Sequence, residues 1–249
     1  FNLQQIKILR PSKDQLVKFT TYVPHEFEGV VRDALFQSGA GSIGSYSDCS
    51  FNTSGEGTFK ANSTCTPFVG EIDKLHFEPE TKIETILPTY KVSEALKKVK
   101  SVHPYEEVAY DIYPLMNMNL QAGSGIIGKL INPINASDFL LQLKHQFNLQ
   151  VIRHSKLIKD KIKTVAFCGG SGSFLISDAI YHQADIFITG DLKYHDYFEA
   201  NNKIILADIG HFESEQHTID IINDVLMKKF PNFAILKTKV NTNPIEYYT

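Results

Sequence analysis

The sequence predicts an α/β core, a mostly parallel sheet with helices on both faces, joined to an α+β domain of ferredoxin-like order. Three observations carry this. Short continuous apolar runs, Ile162–Cys168, Asp185–Thr189 and Ile204–Ile209, alternate with helical segments in the second half, the pattern of strands buried on both sides. The first half instead carries strands rich in β-branched and aromatic residues or bounded by turn signals, with helical stripes between, in the order β-α-β-β-α-β. The length of 249 residues suits two domains, and 43% apolar with 21% charged residues is the composition of a chain that folds.

Taken in order, Ile6–Leu9 reads as the end of a strand running into a Pro11-Ser12 turn. Because the chain opens on Phe1, we expect a fragment whose beginning is missing. Leu16–Pro24 is a strand stopped by proline. Phe27, Val30, Val31, Ala34 and Leu35 mark a helix ended at Gly39. Ile43–Phe59, broken at Thr53-Ser54-Gly55-Glu56-Gly57, predicts two strands joined by a loop, an extra hairpin. Lys82–Leu87 is a further strand, Val92, Ala95, Leu96 and Val99 one face of a helix, and Glu107–Tyr113 an alternating strand. The aperiodic Leu115–Gly123 places a boundary near residue 118. The expected domains are therefore residues 1–14, 15–117 and 118–249. Ser124–Leu130 then forms a strand, and Phe139, Leu140, Leu143 and Phe147 a helix capped by Ser137 or Asp138.

Charge and cysteine usage narrow the function classes. Lys plus Arg at 25 against Asp plus Glu at 28 leaves a net charge of −3, without the basic excess that phosphate-backbone binding requires, so nucleic acid is a weak option. Cys49, Cys65 and Cys168 form no C-x-x-C pair and fit a reducing, cytoplasmic setting. No run approaches the roughly 18 apolar residues of a membrane span, so no membrane partner is expected.

Ligands in open α/β sheets collect beyond the carboxyl ends of the strands. Three such ends carry polar groups here: Gly169-Gly170-Ser171-Gly172-Ser173, Thr189-Gly190-Asp191 with Lys193, His195 and Asp196, and Asp208-Ile209-Gly210-His211 through Glu215. His211 and Glu215 are four apart at the start of the stripe Ile219, Ile222, Leu226 and Phe230. A helical turn puts both on one face, where a divalent ion could bridge them. Spacing alone favours the plainer reading of an acidic first turn, and two ligands do not close a coordination shell. Asp191, His195 and Asp208 are further donors, although His195 and Asp196 equally suit a solvated helix start. The glycine turn suits an anion at a helix N-terminus or a tight strand-to-helix connection, and it lacks the P-loop ending. Cys168 reads as an inert thiol. His103-Pro104-Tyr105-Glu106-Glu107 reads as a proline turn before an edge strand with exposed carboxylates, rather than an acid/base cluster. The polar stretch from Ser45 to Pro67 suits packing on another subunit, capping a pocket mouth, or a solvated loop.

These residues together resemble a family. Gly169-Gly170-Ser171-Gly172, Thr189-Gly190-Asp191 with Lys193 and His195, and Gly210-His211 with Glu215 are similar to the C-terminal half of the YbgI/YqfO-type dinuclear-metal proteins. These are also called Ngg-one-interacting-factor-three-like, and members are often labelled GTP cyclohydrolase type-two homologs. Phe19–Pro24 through His103–Glu107 to Tyr113 resembles the insert of the longer members, a PII/CutA-like domain. The resemblance implies His211 and Glu215 as metal ligands, with Asp191 and His195 as weaker candidates for supporting or proton-transfer roles. It implies two divalent ions per complete site, Zn, Mn or Fe, and hydrolase chemistry on a small-molecule substrate, with nucleotide derivatives as the class. It also implies a homo-oligomer, a ring of six. The alternative is a non-catalytic metal-handling or regulatory protein. Members carry a His-His-Pro and a Thr-Asn-Leu-Asp element before the insert, and this sequence contains neither, so an incomplete metal site is expected.

Overall fold

The computed structural model describes residues 1–248. In chain order its elements are β1 (Gln4–Ser12), β2 (Leu16–Pro24), α1 (Glu28–Gln37), β3 (Ser50–Lys60), β4 (Leu75–Pro88), α2 (Val92–Val102), β5 (Tyr110–Leu115), β6 (Asn119–Asn135), α3 (Ala136–Gln146), β7 (Arg153–His154), β8 (Lys161–Ser171), α4 (Ile176–Tyr181), β9 (Ile186–Gly190), α5 (Asp196–Glu199), β10 (Ile205–Asp208), α6 (His211–Glu215) and α7 (Thr218–Lys229). The chain divides into two compact units: Phe1–Pro11 with the chain from Gln121 onward, and Ser12–Leu120.

The larger unit is built on a six-stranded sheet of order β1-β6-β8-β9-β10-β7. Its centre is parallel, β8 with β9 and β9 with β10, whereas β6 and β7 pair antiparallel on the flanks. β9, Ile-Phe-Ile-Thr-Gly, is buried at every position, as a strand covered on both faces must be. Phe187 faces a core shared with Leu206, Leu175, Ile176 and Ala179 of the α4 side. Ile186 and Ile188 face the opposite core with Phe139 and Leu143 of α3. The expected α/β architecture is present, and parallel pairing is confined to the strands joined by helical crossovers.

The smaller unit is a four-stranded sheet of order β3-β4-β2-β5, antiparallel throughout. With α1 and α2 this gives the β-α-β-β-α-β order of the ferredoxin-like class. Val17, Phe19 and Val23 alternate inward from β2 onto Val31, Leu35, Ala95 and Val99 of the helices. At its full burial Phe19 contributes about 2 kcal/mol of transfer free energy.

Local readings need four corrections. The hairpin expected between Ile43 and Phe59 is absent: β3 is one strand, paired residue for residue from Ser50↔Thr85 to Lys60↔Leu75. Gly55 and Gly57 are strand positions, since the Glu80 carboxylate occupies the space a side chain on Gly57 would fill, 2.2 Å from the Cβ position. The edge strand after the His103 turn begins at Tyr110 rather than Glu107, since its pairing with β2 starts at Thr21↔Tyr110. Asn135, not Ser137 or Asp138, holds the N-cap position of α3. The stripe from Ile219 does not continue unbroken from His211: α6 ends at Glu215 and α7 begins at Thr218.

Candidate metal centre

The carboxyl ends of β8, β9 and β10 stand side by side, and backbone contacts between them build the site. Ile209 N–H donates to Thr189 O at 2.9 Å, Thr189 Oγ1 donates to Gly170 O at 3.0 Å, and Gly170 N–H donates to Ser214 Oγ at 2.8 Å. Ser214 Oγ in turn donates to His211 O at 2.7 Å. These bonds fix the first turn of α6 against the glycine turn. Gly190 permits the approach: a Cβ there would lie 2.9 Å from His211 Cα and from Gly210 O.

A second clamp comes from Asp208, which is 3% exposed. Its carboxylate accepts from Leu192 N–H at 2.9 Å and Gly210 N–H at 3.0 Å and pairs with Arg153. Asp208, one of the residues considered as a donor, is thus consumed in tying the exits of β9 and β10 together. Asp191, at φ +57°, sits in that tied turn.

The result is a short relay. Asp191 Oδ2 accepts from His211 Nδ1 at 2.6 Å, and His211 Nε2 lies 3.4 Å from Glu215 Oε2. The Asp191 hydrogen bond leads the effects that raise the His211 pKa above its ordinary value, with both carboxylates adding Coulombic attraction. With its proton held on Nδ1 by Asp191, the neutral ring presents the Nε2 lone pair beside the Glu215 carboxylate, the carboxylate–histidine arrangement of metal-binding imidazoles. The 3.4 Å spacing is what two donors about 2.1 Å from one tetrahedral ion would have. His211 and Glu215 therefore fit two positions of a divalent ion. Among the described residues no group of three or more His, Cys, Asp or Glu side chains is arranged to hold one.

The glycine turn lies under this pair. The β8–β9 register shifts between Phe167 and Ser171, where Cys168, Gly169 and Gly170 stand opposite Thr189 alone, and this two-residue excess forms a bulge beneath Glu215. Gly170 has φ +65°, and a Cβ there would come within 2.5 Å of Glu215 Oε1. Burial, with a contribution from Glu215, pushes the Cys168 thiol up, so it stays protonated. His195 stands apart from the relay: it is exposed, packs on Tyr194 and Phe198, and precedes α5. Neighbouring Asp196 accepts from Lys193 N–H at 2.8 Å. The sequence motifs include Thr189 without giving it a role and do not single out Ser214, although Thr189 ends an apolar run and Ser214 falls between the paired ligands.

The chain matches the family model Duf34/NIF3 (NGG1p interacting factor 3) over residues 2–244 and belongs to that family. It is 34% identical over 250 residues to a GTP cyclohydrolase 1 type 2 homolog of Halalkalibacterium halodurans, covering 98% of this chain and 67% of the relative. A homolog of the same name from Bacillus subtilis is 34% identical over 254 residues, with 98% and 67% covered. Among solved structures it is similar to a Bacillus cereus protein related to NIF3, with 32% identity and TM-score 0.78 over 99% of this chain and 67% of that one. Staphylococcus aureus protein SA1388 matches at 27% identity and TM-score 0.62, with 99% and 65% covered. The chain thus spans about two thirds of the length of these relatives. No helix among the described residues is long and apolar enough to cross a membrane.

Proposed function

We propose that this protein is a dinuclear-metal hydrolase of the cytoplasm acting on a small, nucleotide-derived substrate. In this reading residues 15–117 form the insert domain, and residues 1–14 and 118–249 belong to the metal-bearing core. The observation that carries the reading is the Asp191–His211–Glu215 relay at the carboxyl ends of three parallel strands. The relatives' printed name, GTP cyclohydrolase 1 type 2 homolog, supports the nucleotide class of substrate. His211 Nε2 and Glu215 would hold Zn, Mn or Fe, a nitrogen/oxygen donor pair that suits all three. Such ions, when bound, activate water and polarise the bond it attacks. Asp191 keeps the imidazole in the donating orientation, and exposed His195 is a candidate to carry protons to or from the site mouth. The remaining metal positions fall to donors outside these two side chains.

Elemental analysis of purified protein, with nucleotide turnover assayed beside it, tests this. His211→Ala is expected to lose bound metal and turnover with the fold retained, and Asp191→Asn to weaken metal affinity by about 10- to 100-fold. Metal bound equally by wild type and His211→Ala would remove the ligand assignment. A second reading, a metal-handling protein without turnover, is favoured by exposure: the His211 and Glu215 side chains are 48% and 51% accessible, as exchangeable ligands need to be. It predicts metal transfer to a chelator and no product from any nucleotide.

A further inference from the structure

The smaller unit holds a cavity of about 590 Å³ between β3, the loop that follows it, and the His103–Ala109 turn. That is within the size range of small-molecule sites, about 300–1,000 Å³. Four aromatic residues, Tyr22, Phe59, Phe68 and Tyr105, stand in its walls. The Phe59 and Tyr105 rings are 6.1 Å apart, Phe68 and Tyr105 6.4 Å, and Phe68 is braced edge-on by Phe27 at 5.7 Å. Gly55 and Gly57 leave two bare positions on β3 along this wall. A Cβ on Gly55 would meet nothing within 4 Å, so the space above it is open.

The polar groups of the cavity have one sign in excess. Glu56, Glu80, Glu106 and Glu107 line it against Lys60 and Lys82, and Lys82 is paired with Glu84 at 3.2 Å. Glu80 is held in place: Tyr105 Oη donates to its Oε1 at 2.8 Å, while Oε2 lies over Gly57. Burial and that carboxylate raise the Tyr105 phenol above its ordinary range, so it remains a donor across the working pH range. The turn is fixed from below by buried His103, whose Nε2 bonds Tyr22 O at 2.9 Å. An aromatic box with an oriented carboxylate is the arrangement that selects a cation carried on an apolar body.

We propose that this cavity binds a small organic cation, its ammonium or guanidinium head against Glu80 and its apolar body among Phe59, Phe68 and Tyr105. The site involves no residue of the metal centre, so either reading can fail without the other. Calorimetric titration of the whole chain with benzyltrimethylammonium, and in parallel with the anion benzylphosphonate, tests it. The cation is expected to bind saturably at one site and the anion not to bind. Glu80→Gln keeps the Tyr105 bond and is expected to lower cation affinity by about tenfold, the scale of one charged contact at a desolvated site. Gly55→Leu fills the open space beside its cross-strand partner Glu80 while keeping that carboxylate, and is expected to abolish binding, with thermal melts confirming that both variants fold. Cation binding that survives both substitutions, anion binding of equal strength, or no saturable binding of the cation overturns the proposal.

Discussion

Asp185, at the entry to β9, shows how one carboxylate joins three segments. Its Oδ2 accepts from the amides of Lys163 and Thr164, each at 2.8 Å, and its Oδ1 pairs with Lys159. Burial alone would raise its pKa, but the Lys159 ammonium and the two amides overcome that and hold it below the usual carboxylate value. A depressed folded pKa contributes stability that is present above the unfolded value of about 3.9 and is lost as pH falls through the folded one. Asp185→Asn is therefore expected to cost about 1–3 kcal/mol near neutral pH. Urea unfolding should also show wild type losing stability more steeply than the variant below about pH 4. Equal stability of the two proteins at neutral pH would contradict this account.

Among the elements, the glycine bulge near the end of β8 leaves no room for a side chain. Gly170 combines a left-handed backbone with a Cβ position 2.5 Å from Glu215 Oε1. Alanine there costs about 1–2 kcal/mol in backbone strain and pushes the Glu215 carboxylate off its position. Gly170→Ala should thus melt lower and also bind less metal, whereas a purely structural turn would change the melting temperature alone; elemental analysis separates the two. β3 illustrates the converse case. Its Ser-Gly-Glu-Gly stretch favours a turn locally, and uninterrupted pairing along eleven residues of β4 overrides it. The same strand, kept bare at Gly55 and Gly57, becomes the wall of the cation cavity.

For the whole molecule, the apolar side of α7 is an exposed surface. Ile221, Ile222 and Val225 are all more than half exposed, and clustered exposed apolar residues on a folded chain mark association surfaces. This supports proposing the homo-oligomer, a ring of six, that the resemblance implies. Sedimentation velocity is expected to show a species larger than one chain. Ile222→Lys should reduce it while changing chain stability by less than about 0.5 kcal/mol, as for other exposed sites. A monomer at every concentration would remove the oligomer from the proposal.

By itself the sequence determined the class of both units, because buried parallel strands and half-buried antiparallel ones differ in pattern: Ile186–Gly190 is buried throughout where Leu75–Pro88 alternates. It also made the His211–Glu215 pair legible, since a helical turn converts a spacing of four into a shared face. Only the tertiary structure decided the rest. Asp191 is twenty residues from His211, and Asp208 binds Arg153 rather than joining the site. His195, near both in sequence, turns toward aromatic rings instead. Such choices depend on which strand ends lie side by side and on where a bulge places two extra residues. Sheet order and close backbone approach set these, and they leave no local period in the chain.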